Sequence, residues 1–158
     1  MNIIISLLCI VFFTSCSVIK PKPIITEYKI EKPVAEVWSK LMDFEKYPTW
    51  NPFIQHIEGN AIVGETLKVK IGLGDKPMNF KPTVLKVDKE SEFRWKGKVL
   101  FRGLFDGEHY FKLTQLDDGS TLLEQGEHFS GLFSGLLLLF IRKSTIEGFN
   151  SMNQSIAQ

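Results

Sequence analysis

Cysteine is nearly missing from this chain. It has two, Cys9 and Cys16, and both fall early in the sequence. The chain beyond Cys16 therefore has no disulfide, no thiol nucleophile and no cysteine-based metal site. A surplus of one charge is missing too. The 19 Lys and Arg are scattered among 18 Asp and Glu, for a net charge of +1, so the basic footprint of nucleic-acid binding is absent. No apolar run approaches the roughly 20 residues that cross a bilayer as a helix. No glycine loop of the phosphate-cradling kind occurs, because Gly72-Leu73-Gly74 has no Lys-Ser/Thr after it. A Gly-x-Ser-x-Gly elbow is absent as well, since Ser130-Gly131 and Ser134-Gly135 lack the spacing. No internal repeat or low-complexity segment is visible.

The features that are present begin at the N-terminus. Ile3 to Phe13 is apolar except for Ser6, and small Thr14 and Ser15 lead into Cys16. A short greasy core before small residues is the layout of a secretory signal. The cysteine at the end resembles the lipobox of bacterial lipoproteins, in which cleavage leaves Cys16 as a lipid-bearing N-terminus. Lys20, Pro21, Lys22 and Pro23 then read as an exposed tether, with two prolines unable to donate main-chain hydrogen bonds. The expected division is a signal peptide over 1–15, a lipidated tether over 16–23 and one domain over 24–158. The expected place is the bacterial cell envelope, anchored to a membrane and facing the periplasm or exterior. A plain signal or an uncleaved anchor is the second reading.

The domain itself changes period along its length. Ile24 to Ile30 alternates and reads as a strand. Pro33 suits the first turn of a helix, and Val34, Val37, Trp38, Leu41 and Met42 make one apolar helical stripe ending near Asp43. Pro48 and Pro52 break the next stretch into a helical turn and a loop. From Ile54 to Ser130 the period is two. Leu67, Val69 and Ile71 alternate with lysines, Gly72 to Pro77 reads as a turn, and Phe80 to Val87 reads as one strand with Pro82 at an edge or bulge. Phe105 to Leu116 and Thr121 to Phe129 form the clearest hairpin. Leu132 to Ile141 is dense in Leu and Phe, and helical spacing continues through Ile146, Phe149, Met152, Asn153 and Ile156. One long closing helix is expected, its first half apolar nearly all round and buried against a sheet; a membrane patch at Leu136 to Ile141, too short to span, is the second reading. Strands segregated from helices mean an α+β domain. The 13 Phe and 3 Trp mean either a large core or a greasy cavity.

Several motifs carry a family resemblance. Asp43-Phe44-Glu45-Lys46-Tyr47-Pro48-Thr49-Trp50-Asn51-Pro52-Phe53 resembles the helix-loop signature of the SRPBCC superfamily, which is START-like and polyketide-cyclase-like. The likeness continues at Val63-Gly64-Glu65, at Phe93-Arg94-Trp95 and at Phe105-Asp106-Gly107-Glu108-His109-Tyr110-Phe111. It closes with Phe129-Ser130-Gly131 and Gly148-Phe149-Asn150-Ser151-Met152-Asn153, so it runs from about Ile24 to Ile156. The resemblance implies a helix-grip fold, in which seven antiparallel strands wrap a C-terminal helix over a hydrophobic cavity. It implies lipid carriage, hormone or polyketide binding, or cyclisation or hydrolysis, without choosing among them.

The hairpin places the candidate chemistry. Phe111 and Leu113 must face inward, and His109 shares their face by alternation. On the return strand Leu123, Gln125, Glu127 and Phe129 make the inward set. A three-residue loop, Asp117-Asp118-Gly119 with Gly119 left-handed, keeps both inward sets aligned, whereas a two-residue turn sets them in conflict. The aligned register pairs His109 with Glu127 and Phe111 with Gln125. His128 then points outward, and His109 with one carboxylate makes only two convergent ligands, so neither a metal nor any other cofactor is expected. Arg94 and Arg102 read as solvated. The resemblance puts Trp50, Asn51 and Phe53 at the cavity mouth, with Asn51 bonding a ligand; a helix stop and a packed aromatic is the plain alternative. Phe80, Phe93 and Trp95 read as core and cradle together. Leu136 and Phe140 belong to the stretch expected to roof the cavity.

The leading functional reading is a membrane-tethered binding or carrier module, expected as a monomer. Its guest would be a small hydrophobic molecule such as a lipid, an isoprenoid or an aromatic metabolite. The alternative is a cyclase- or hydrolase-type enzyme using His109 and Glu127 as an acid–base pair. A third is a scaffold with a collapsed cavity.

Overall fold

The computed structural model of the chain describes residues 21–73, 76–99 and 103–158. The signal segment, Cys16, most of the tether and Arg102 lie outside the described residues. Eight strands and three α-helices make up the described chain, in an α+β arrangement.

Strand β1 (Ile24–Ile30) enters first and is followed by α1 (Val34–Met42). Pro33 caps α1 from the extended region, and its carbonyl receives the amides of Glu36 and Val37 at 3.0 and 3.2 Å. Val37, Trp38 and Leu41 bury the predicted stripe. The chain breaks at Asp43 into a 3-10 turn (Phe44–Lys46) and the short α2 (Tyr47–Trp50). Strands β2 (Ile54–Glu58), β3 (Lys68–Leu73) and β4 (Lys76–Phe80) form one antiparallel sheet. Strands β5 (Thr83–Asp88), β6 (Glu92–Val99), β7 (Phe105–Gln115) and β8 (Thr121–Ser130) join β1 in a second, ordered β1-β8-β7-β6-β5. The two are stitched where Leu67 N donates to Pro82 O at 2.9 Å and Val84 N donates to Glu65 O at 2.8 Å.

The strand count differs from the expected seven. Phe80 to Val87 is not one strand. Pro82 is buried and donates nothing to a ladder, so the chain leaves one sheet at Phe80 and enters the other at Thr83. Gly72 and Pro77, expected in a turn, are paired across β3 and β4 instead. The β7–β8 hairpin has the predicted loop: Leu116 N donates to Ser120 O at 2.8 Å, and Gly119 sits at φ +85°. Its register pairs His109 with Glu127 and Phe111 with Gln125.

Helix α3 (Ser134–Ala157) spans 24 residues and packs on β1, β3, β8 and α1. Leu138, Thr145, Phe149, Met152 and Ile156 form its buried face. At Gly148 the helix meets the Phe53 ring, which occupies the space a Cβ would need. The first half is not buried all round. Leu136 and Phe140 turn outward, 57% and 76% exposed, and Leu139 is 79% exposed. A helix resting on a sheet offers it only one face, so Leu138 and Ile141 turn in and their neighbours are left outside.

The outer face of the large sheet is polar. Glu92 is buried beneath Lys86 Nζ at 2.7 Å and Arg94 Nη2 at 2.6 Å, and Arg94 also reaches Glu108 at 2.6 Å. Arg94 is thus tied into an ion network over the Tyr110 ring, not simply solvated. Burial pushes the Glu92 carboxyl up, yet the hydrogen bonds from Lys86 and Arg94 outweigh it and hold it below its ordinary value.

An exposed mid-helix Gly→Ala change gains about 1 kcal/mol in helix propensity, but overpacking costs about 1–3 kcal/mol. Gly148→Ala therefore lowers stability in urea denaturation, with the m-value unchanged. The lowered value of Glu92 means that its stabilisation is present above the unfolded value of 4.5 and is lost as pH falls through the folded one. Glu92→Gln accordingly shows a smaller fall in Tm between about pH 6 and about pH 3 than the parent protein.

Candidate ligand-binding site

Between α3 and the inner face of the sheets lies a partly enclosed apolar hollow of about 80 Å³. Phe53, in the bend before β2, and Ile54, Val69, Ile71 and Phe80 of the small sheet line it on one side, Trp95, Phe105 and Phe129 of the large sheet on another, and Ile141 and Thr145 of the helix close it. His109 and Glu127 stand at the inner end. Two residues further along β8, Phe129 stacks on Phe105 at 5.2 Å, toward the Gly103–Phe133 corner.

Alternation brings His109 inward on β7, and the hairpin register sets Glu127 beside it. The imidazole is 3% exposed. It lies flat on Trp95, centroids 5.1 Å apart and planes 13° apart, with Phe111 and Phe149 presenting edges at 4.7 and 5.1 Å. Nδ1 meets Glu127 Oε2 at 2.7 Å, and Nε2 meets Gln125 Nε2 at 3.3 Å. A carboxylate only accepts and an amide nitrogen only donates. The carboxylate therefore accepts from Nδ1, while Nε2 meets the Gln125 amide, whose Oε1 has no partner among the described residues. Both ring nitrogens are engaged. Glu127 Oε1 is different: it has no hydrogen bond among the described residues, and it lies over Gly107, where a side chain would displace it. The Thr145 hydroxyl is spent on the Ile141 carbonyl at 2.8 Å. One carboxylate oxygen is left facing an apolar chamber, with the exposed Lys98 at its edge.

Six of the expected site residues meet here: Phe53, Phe80, Trp95, His109, Glu127 and Phe129. The others stand elsewhere. Asn51 lies outside the lining of the hollow: its Oδ1 accepts the amides of Phe53 and Ile54 at 3.0 and 2.8 Å and so holds the corner into β2, while its Nδ2 has no partner among the described residues. Trp50 packs on Tyr47 at 5.0 Å, beneath Lys40. Phe93 and Phe111 are fully buried in the core behind the hollow. Gln125 lies behind His109, against Met152 Sδ at 3.5 Å. Leu136 and Phe140 do not roof the hollow; Ile141 and Thr145 do. Sequence reasoning missed Pro82, Gly97, Gly107 and Phe105 as lining residues. Gly97 and Gly107, small positions facing each other across β6 and β7, were the available signal. His128 is exposed and stacks on Tyr110.

The family model for polyketide cyclase / dehydrase and lipid transport matches residues 25–152. The chain belongs to that family. Solved polyketide cyclase / dehydrase-like folds agree with it at low identity. A START superfamily protein from Mycobacterium smegmatis superposes with a TM-score of 0.67 at 17% identity, covering 85% of this chain and 96% of that one. The Zhui aromatase/cyclase from Streptomyces sp. R1128 gives 0.65 at 11% identity, covering 85% and 93%. Norcoclaurine synthase from Thalictrum, solved as a point mutant with a transition-state analogue, gives 0.66 at 15% identity, covering 86% and 91%. At such identities the likeness is one of fold. No curated protein is significantly similar in sequence.

The His109–Glu127 pair has a measurable worth in this family member. Glu127→Leu alone strands a buried N–H and costs about 1–3 kcal/mol. Replacing both partners by apolar groups is nearly neutral, so the His109→Phe/Glu127→Leu double variant recovers most of that loss in a urea-denaturation double-mutant cycle.

Proposed function

We propose that this protein binds a small hydrophobic molecule bearing a hydrogen-bond donor, such as the hydroxyl of a phenol, an isoprenoid alcohol or a lipid, and holds it as a membrane-tethered binding or carrier module. The observation that carries the reading is the single unpaired Glu127 oxygen in an otherwise apolar hollow. Apolar walls supply affinity at about 25 cal/mol per Å² buried. Glu127 is partly buried, its side chain 17% exposed, and an acceptor set in an apolar wall favours a guest that brings a donor over one that does not. Size supports a slender guest. An apolar cavity of about 150 Å³ takes up benzene, and this hollow measures about 80 Å³. The head of the guest sits by Glu127 while its body continues out through the open side.

The acid–base alternative has less support. A general base needs a free lone pair within reach of substrate; His109 has Nδ1 against Glu127 and Nε2 against Gln125, so a base role would fall to the open Glu127 Oε1. Membership of a family whose name includes both cyclases and lipid transport is compatible with binding and with chemistry. The tether is supported by the lipobox-like run into Cys16.

Titration calorimetry with phenol and benzene tests the reading. A hydrogen bond to a charged acceptor is worth about 1.5–3 kcal/mol, so phenol binds roughly 10- to 100-fold more tightly than benzene. Glu127→Gln narrows that gap. Equal affinities, or a gap that Glu127→Gln leaves intact, remove Glu127 from recognition.

A further inference from the structure

We propose that the outward apolar face at the start of α3 docks directly on a lipid bilayer. It goes beyond ligand binding, and rests on the tether reading only for the anchor that brings the bilayer near. Leu132, Phe133, Leu136, Leu137, Leu139 and Phe140 are all exposed; the first two lead into α3, and spacings of three and four put Phe133, Leu136, Leu137, Leu139 and Phe140 on one arc of its first turns. Scattered apolar side chains need no account, but a contiguous patch of large ones marks an interaction surface. No helix among the described residues is long and apolar enough to cross a membrane, so the face lies on a surface and does not span it.

Three observations choose a bilayer as the occupant. The chain toward Cys16 leaves the domain beside this face: Arg142 donates to the carbonyls of Lys22 and Pro23 at 3.1 and 3.3 Å, and Pro21 and Lys22 share a depression with Leu138 and Leu139. From Pro21 to Cys16 is a reach of about 17 Å at full extension, so a lipid on Cys16 holds the patch within that distance of the acyl layer. The patch itself carries Leu and Phe without a polar group to pair, while Lys22, Arg142 and Lys143 stand at its border. Apolar insertion with a basic rim suits an anionic interface. The patch also adjoins the hollow. It begins just beyond Phe129 and ends just before Ile141, both of which line the hollow, and the corner is closed by Leu132 N to Gly103 O at 2.9 Å and Phe133 N to Leu104 O at 3.0 Å. Docking there sets the bilayer beside the segments that flank the hollow.

The test uses the full chain with Phe140→Trp, read as a difference from the parent, on phosphatidylethanolamine/phosphatidylglycerol vesicles with and without brominated acyl chains. The expected result is added indole emission that shifts to the blue on vesicles and is quenched by the bromine. Emission that remains open to aqueous acrylamide, in protein that sediments with the vesicles, overturns docking and leaves the tether standing. Shielding from acrylamide before any vesicle is added also overturns it, because residues 1–20 or a second copy then cover the face. Intact mass reports the Cys16 lipid separately: bromine quenching in protein without the lipid upholds docking and removes the tether. In protein without that lipid, Leu139→Ser/Phe140→Ser, both at exposed positions, lowers vesicle partitioning at least about tenfold. Unchanged partitioning of this double variant overturns docking.

Discussion

The pairing of β7 with β8 sets the place of every polar group in the hollow. Side chains on a strand alternate between faces, so a slip of one residue would send His109 and Phe111 to solvent and bring Glu108 and Tyr110 inside. The three-residue loop ending at Gly119 prevents that slip. Its consequence is a 2.7 Å contact between His109 and Glu127, eighteen residues apart in the chain. Stacking on Trp95 and edge contacts from Phe111 and Phe149 then keep the imidazole plane where both its nitrogens are engaged.

That arrangement separates two jobs that a histidine–carboxylate pair can do. A pair with an open lone pair moves protons; a pair with both ring nitrogens bonded orients its carboxylate. Here the imidazole fixes Glu127 Oε2, and Gly107 leaves room for Oε1 to face the chamber. The rest of the wall is aromatic and aliphatic. The proposed recognition of a donor-bearing apolar guest rests on one polar atom in an apolar setting.

Helix α3 does two things with one sequence. Its inner face, from Leu138 through Thr145 and Phe149 to Ile156, closes the chamber and packs the core. Its outer face over the first turns carries leucines and a phenylalanine into solvent. The same short stretch therefore borders the hollow on one side and the proposed bilayer on the other. The close approach of Phe53 to Gly148 fixes the height of the helix over the sheet, and hence the size of the space beneath it.

Local rules were enough for much of this. Alternation and turn chemistry placed β1, the β7–β8 hairpin, its register and the inward pair, and 3.6-residue spacing placed α1 and α3, because each depends on neighbours a few residues away. Motif likeness supplied the way strands and helix are put together. Other features needed the whole fold. Whether Pro82 kinks one strand or divides two depends on which strands lie beside it, and it divides β4 from β5. That Asn51 Oδ1 holds the corner into β2 depends on the backbone amides of Phe53 and Ile54 coming within its reach. Leu136 and Phe140 are as apolar as Leu138; hydropathy cannot say which arc of an all-apolar helix meets the sheet. The chain by itself determined β1, α1, the β7–β8 hairpin with its inward pairing, and α3. Only the packing of distant segments decided the volume of the chamber, the free oxygen within it and the greasy face left outside, because each is a relation between surfaces far apart along the chain.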